Sequence, residues 1–302
     1  MGPPMDKNLV FIEDGVEFMK LCVDITVYWR GSAFDHAPGI LAFHDEAARL
    51  IGPRVKQYRT GEMERSSPVA ADTFDLLRAW LEGGDRSQDM FTLMLETSDV
   101  PDLRSDCAFV FEADELVDDP AGALQLSLPV AFVEESPNAM VDLARKLVDG
   151  LDFHSGHGGF TLNWDPLGEF NVPAQRAMAA LARRFPAIDL PDTGSTLLAI
   201  PTGMKRSNWL TLLGDSLLAR GAPESFGVDG RYVVRLPHGV LIQAGDAPTV
   251  GDVNHQDDVS LYRAVGRAVA PFRSKEHPPL LNGPRGIPDD DATEEWLAYF
   301  ES

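Results

Sequence analysis

The sequence predicts an α+β fold, an antiparallel sheet packed with amphipathic helices, and three observations carry that expectation. Short runs alternate apolar and polar side chains, the two-residue period of a strand with one buried face. Between them lie stretches with apolar residues three and four apart, opened by capping residues and closed by glycine or proline. The two kinds of run do not alternate regularly, which argues against the β-α-β units of a parallel sheet. At 302 residues and 44% hydrophobic content, the chain has enough apolar mass for one large domain or two intimately packed lobes.

The first clear strand is Val23-Asp-Ile-Thr-Val-Tyr-Trp29, apolar at alternate positions. Ser67-Pro68 then caps a helix whose stripe is Leu77, Trp80 and Leu81, and Gly83-Gly84 end it. Residues 91–95, 107–111 and 124–133 read as three further strands. Ser136-Pro137 repeats the capping device: Met140, Ala144 and Leu147 share a face, and Gly150 supplies a left-handed stop. The next helix begins near Pro173, turns Met178, Leu181 and Phe185 inward, and must stop before Pro186. Ser207 caps a helix through NWLTLLGDSLLAR, with Trp209, Leu213 and Leu217 at helical spacing. Residues 232–236 and 240–243 form a hairpin, because Pro237-His238-Gly239 has the chemistry of a tight turn. A last amphipathic helix covers 257–270.

Residues 1–272 thus read as a single α+β domain. Residues 273–302 read as a Pro/Gly/acid-rich tail with Trp296, Leu297, Tyr299 and Phe300 as its anchor. In that tail Asp289, Asp290, Asp291, Glu294 and Glu295 read as solvated acids with no fixed role.

Charge narrows the function classes. The chain carries 47 acidic and 26 basic residues, a formal net charge of −21, which repels phosphate backbones and anionic membranes and attracts a basic partner. Residues 85–142 hold fourteen acids against Arg86 and Arg104, a net of −12. Within that region Glu112-Ala-Asp-Glu-Leu-Val-Asp-Asp119 falls between two strands. Its carboxylates Glu112, Asp114, Glu115, Asp118 and Asp119 are the candidate partner-binding residues, solvated yet positioned by the sheet below. Cys22 and Cys107 sit far apart in apolar runs, the pattern of buried free thiols in a reducing compartment. The start, MGPPMDKNLVFIEDGVEF, is not a secretory signal, and no segment approaches the ~20 apolar residues of a membrane span. A cytoplasmic location follows.

FHSGHGGFTLNWDP, residues 153–166, looks most like chemistry. His154 and His157 are three apart, but the surrounding glycines disfavour a helix, and in an extended chain residues three apart point to opposite faces. The rings do not converge on a metal. Glycine beside a strand permits close backbone approach, so the stretch reads as entry to a strand with Phe160, Leu162 and Trp164 inward and Thr161 and Asn163 outward. Residues 254–258, NHQDD, read as a loop capping the helix after them. There is no nucleophile elbow or phosphate-cradling glycine motif, and no catalytic, metal or cofactor-binding residue is assigned.

FHSGHGGFTLNW (153–164), NWLTLLGDSLL (208–218) and RLPHGVLIQAGDAPTVGDVN (235–254) resemble the anchor blocks of a bacterial family now described as type VI secretion immunity proteins. With the N-terminal elements the resemblance spans roughly residues 16–272. Gly203-Met-Lys-Arg206 before the second block is more basic than the family's apolar lead-in. The resemblance implies a cytoplasmic protein that is no enzyme and binds and neutralises a cognate toxin, in some cases a nuclease, encoded by an adjacent gene. It implies no active-site residues. Two other classes stay open: a hydrolase with a site near His154 and His157, and a non-catalytic secretion-system accessory protein.

Overall fold

The computed structural model describes residues 9–13, 16–83, 90–99, 107–164, 171–221, 223, 225–283 and 287–302. Among them, eleven strands form one sheet in which every named ladder is antiparallel. They are β1 (Val10–Glu13), β2 (Val16–Arg30), β3 (Gln57–Thr60), β4 (Ser67–Pro68), β5 (Met90–Glu96), β6 (Ala108–Asp114), β7 (Ala121–Leu128), β8 (Ser155–Trp164), β9 (Leu210–Gly214), β10 (Val233–Leu236) and β11 (Gly239–Gln243). Their spatial order is β10-β11-β9-β8-β2-β7-β6-β5-β3-β4, with β1 paired to β2. The helices are α1 (Ala37–Ile51), α2 (Leu76–Gly83), α3 (Val130–Glu135), α4 (Pro137–Val148), α5 (Asn171–Arg184), α6 (Thr193–Ala199), α7 (Asp215–Leu218), α8 (Ser260–Val269) and α9 (Asp290–Leu297). The α+β class expected from the sequence is the class found.

β2 organises the sheet because it is fifteen residues long and pairs with β8 along Met19–Tyr28, with β7 along Val23–Arg30 and with β1 at its start. One face carries Val23, Ile25, Val27 and Trp29, all fully buried, each contributing about 1.5–3 kcal/mol through removal from water. The register continues that face through Leu126 to Phe109, whose ring meets Phe43 of α1 at 6.2 Å. Trp29 lies across Gly122 of β7 so closely that a Cβ there would fall within the indole. The opposite face carries Asp24, Thr26 and Tyr28, also buried. There Tyr28, Ala121 and Ala123 pack with Leu197 and Ile200 from α6 and its C-terminal end.

Several expectations differ from the structure. The helix expected after Ser207 is strand β9 followed by the short α7. β9 lies between β8 and β11 with every residue buried, so its apolar run is continuous, and a spacing of four fits one face of a strand as well as of a helix. Ser67-Pro68 forms the edge strand β4, where proline's missing donor is tolerated, and the helix begins only at Leu76. The run at 124–133 divides at Pro129, which ends β7 and precedes α3. Gly150 is not left-handed, and α4 is followed by Asp149 in right-handed geometry. Ser136 does cap α4, accepting the backbone N–H of Ala139. Thr161 and Asn163, expected outward, are buried, because the chain at Asp189 bridges to Thr161 and runs beside β8 beyond the reach of β9.

At the C-terminal end Trp296, Leu297 and Phe300 are buried. The Arg206 guanidinium stands 4.1 Å from the Trp296 ring centroid and 4.9 Å from that of Phe300, and it donates to the carbonyls of Trp296 at 3.0 Å and Pro186 at 2.9 Å. Arg273 pairs with Glu294 at 2.6 Å and also with Glu301. Asp289 caps α9 by accepting the Ala292 N–H. Asp289 and Glu294 thus have structural roles that the acidic run did not suggest. Cys22 and Cys107 are both buried, and Arg54 donates to Cys107 Sγ at 3.2 Å.

Candidate functional site

The acidic segment between the third and fourth strands of the sequence reading divides into a strand part and a tip. β6 holds residues through Asp114, and residues 115–120 turn the chain into β7. Glu115 reaches back to accept the Ala33 N–H at 2.6 Å, Asp119 pairs with Arg30 at 2.6 Å, and Asp114 accepts the Leu116 N–H at 2.9 Å. These contacts fix the shape of the tip more than they stabilise the fold, since an exposed ion pair contributes about 0–1 kcal/mol. Asp118 is exposed and has no ion pair or hydrogen bond among the described residues. Between these acids Leu116 and Val117 are 63% and 44% exposed. The braced turn therefore exposes two aliphatic side chains flanked in sequence by carboxylates. The aliphatic pair is visible in the sequence, but its exposure is not. Asp85, Asp89, Asp102 and Asp106, with Arg86 and Arg104, lie outside the described residues.

Glu112 behaves differently from the tip. Strand alternation turns it onto the face of the sheet that holds Asp24, Thr26 and Tyr28, where its Oε2 accepts the Thr193 hydroxyl at 2.6 Å. It opens into a cleft of about 180 Å³ between the strands and the segment 191–194. Burial pushes its carboxyl up from the ordinary glutamate range, and the Thr193 hydrogen bond offsets part of that.

His154 and His157 have separate partners. His154 is buried with Nδ1 3.0 Å from the Ser216 hydroxyl. In a Ser–His–Asp triad a carboxylate on the second ring nitrogen holds the imidazole in its tautomer, whereas His154 Nε2 has no hydrogen-bond partner among the described residues. Burial, reinforced by Arg30 and Arg220, lowers the His154 pKa to about 4. His157 is paired in register with Thr26 and sets Nε2 3.2 Å from Asp189 Oδ2. The Lys205 ammonium reaches the same Asp189 oxygen at 2.8 Å and the Leu190 carbonyl at 2.7 Å. Asp24 accepts from Thr26 at 2.8 Å and from Gln125 at 2.7 Å.

Asp24, His157 and Asp189 each bring a ligand-type atom within 4.8 Å of the others, a convergence that the sequence did not reveal because three distant segments supply it. Lys205 already provides a cation at Asp189. Burial pushes both aspartates up; for Asp189 the Lys205 ammonium and His157 outweigh it and hold the carboxyl well below the usual range. The basic stretch Gly203-Met-Lys-Arg206 is thereby accounted for: Lys205 serves this network and Arg206 the C-terminal helix.

The comparisons with known proteins agree with this architecture. The family model TsiV, described as "Type VI immunity for VRR-NUC", matches residues 103–300. Among solved structures, the Pseudomonas aeruginosa T6SS protein PA0821 is similar with a TM-score of 0.78 and 21% sequence identity, over 95% of this chain and 83% of that chain. At that identity the likeness shows the fold. No curated protein matches the chain. No helix of the described residues is long and apolar enough to cross a membrane.

Proposed function

The chain belongs to the TsiV family of type VI immunity proteins for VRR-NUC, and from that premise we propose that it binds a cognate VRR-NUC toxin and neutralises it by stoichiometric occlusion. The toxin is encoded by an adjacent gene, and the encounter takes place in the cytoplasm. Neutralisation requires no bond-making group on this chain.

The observation that carries the occlusion reading is the β6–β7 tip, where Leu116 and Val117 stand exposed among Asp114, Glu115, Asp118 and Asp119. A nuclease holds polyphosphate in a positive cleft, so a carboxylate-flanked turn complements its charge while the aliphatic pair supplies desolvated contact. The bracing by Arg30 and Ala33 lowers the ordering cost of binding. The overall charge of −21 favours fast encounter with a basic surface.

Co-expression with the toxin's VRR-NUC domain tests this reading. The wild-type chain restores growth, and the Leu116→Asp/Asp118→Lys variant, altered at exposed positions, restores it poorly. Growth arrest in the presence of the wild-type chain contradicts the immunity role; full rescue by the variant contradicts the tip as the contact.

A further inference from the structure

We propose that the cleft beside Glu112 receives a basic side chain of the toxin, an arginine or a lysine, as the specific anchor of the complex. This rests on the immunity reading above and goes beyond it by naming the chemistry that the surface recognises.

The cleft has two kinds of wall. Met94, Val110 and Trp164 supply apolar surface, and Glu112, with Gln125, Asn163 and Asp192, supplies a polar wall that includes a carboxylate. That combination suits a side chain with a methylene stem and a cationic head, because the stem is buried against apolar atoms while the head forms a charge-assisted hydrogen bond. Among the described residues no lysine, arginine or histidine lines the cleft, and Asp192 and Asp114 add their negative fields to that of Glu112. The described lining of the cleft is thus negative.

Access is also built in. Glu112 Oε2 is occupied by the Thr193 hydroxyl, whereas Oε1 faces Gly194, where an added Cβ would approach it to 3.2 Å. Glycine there keeps the approach to that oxygen open. Glu112 lies on β6 two residues before Asp114, where the tip begins, so one strand carries both features. An aliphatic pair on the turn and a charged socket at its base make a two-point recognition surface. Contacts to the tip set the encounter rate, and occupation of the socket sets the residence time.

The test is isothermal titration of the purified VRR-NUC domain into three forms of the full chain: wild type, Glu112→Gln and Gly194→Leu. Glu112→Gln keeps an oxygen for Thr193 and removes the charge. Gly194→Leu keeps the charge and fills the opening. Both variants are first shown to melt cooperatively like wild type. The proposal expects each to weaken binding about 30-fold or more, the low end for losing one partner of a desolvated charge pair. Binding within twofold of wild type by either variant overturns it: by Gly194→Leu because the cleft is then unoccupied, by Glu112→Gln because its occupant is then not cationic. If the wild-type chain itself does not bind the domain, the immunity reading fails and not this refinement alone.

Discussion

The Lys205 ammonium lies 2.8 Å from the Asp189 carboxylate with both side chains 1% exposed, on the face of the sheet that also buries Asp24 and His157. A pair of this kind is not a source of large net stability, because desolvation of both ions offsets their attraction. Removing one partner is a different matter, since the other is left charged and buried. Lys205→Met is therefore expected to cost about 3–5 kcal/mol, measured by urea unfolding at neutral pH. Adding Asp189→Asn to that variant should recover a substantial part of the loss. A cost below about 1 kcal/mol for the single change contradicts the network as described.

Acid stability should report the buried His154 and the half-buried His277. Burial lowers both His154 and His277 to about 4 from the ordinary 6.5. Above 6.5 each ring is neutral in folded and unfolded chains and contributes no pH dependence. As pH falls from 6.5 towards 4 the unfolded chain takes up protons that the folded chain refuses, so stability declines, and below 4 this contribution levels off. The slope approaches about 1.4 kcal/mol per pH unit for each group. His154→Gln and His277→Gln should each flatten the decline in unfolding midpoint across this window. Identical slopes in wild type and both variants contradict the assignment.

Gly122 is fixed by the neighbouring indole. Because a Cβ at that position falls within the Trp29 ring, Gly122→Ala forces a fully buried tryptophan out of place and is expected to cost about 3 kcal/mol, the upper end for overpacking. Thermal unfolding decides it; a melting temperature within a degree or two of wild type would mean that the indole does not lie against β7 as described.

Much of this architecture was legible because strand alternation and helix capping are local signals. The central pattern of β2, the Ser136 cap of α4 and the hairpin of β10 and β11 all follow from neighbours in sequence. β9 was not legible, since a strand buried on both faces loses its alternation. Asp24 shows the complementary limit. Alternation says that one face of a strand is apolar; it does not say that the other face is wet. Residues 186–207 cover that second face and bring Asp189 and Lys205 to Asp24 and His157, a placement decided by long-range packing. Of the candidate site, the carboxylates were readable as a group. Their division was not: Glu115 and Asp119 brace the tip, Asp118 stays exposed and Glu112 turns into a cleft.

We propose that this chain acts on its toxin as a stoichiometric plug. The most direct test is titration of the chain into the purified VRR-NUC domain while DNA cleavage is followed, with the toxin well above the dissociation constant. A stoichiometric plug makes cleavage fall linearly and end at one equivalent, with the chain recovered unaltered. Undiminished cleavage at a large excess of the chain, or loss of activity at a small fraction of an equivalent as a catalyst would produce, contradicts it.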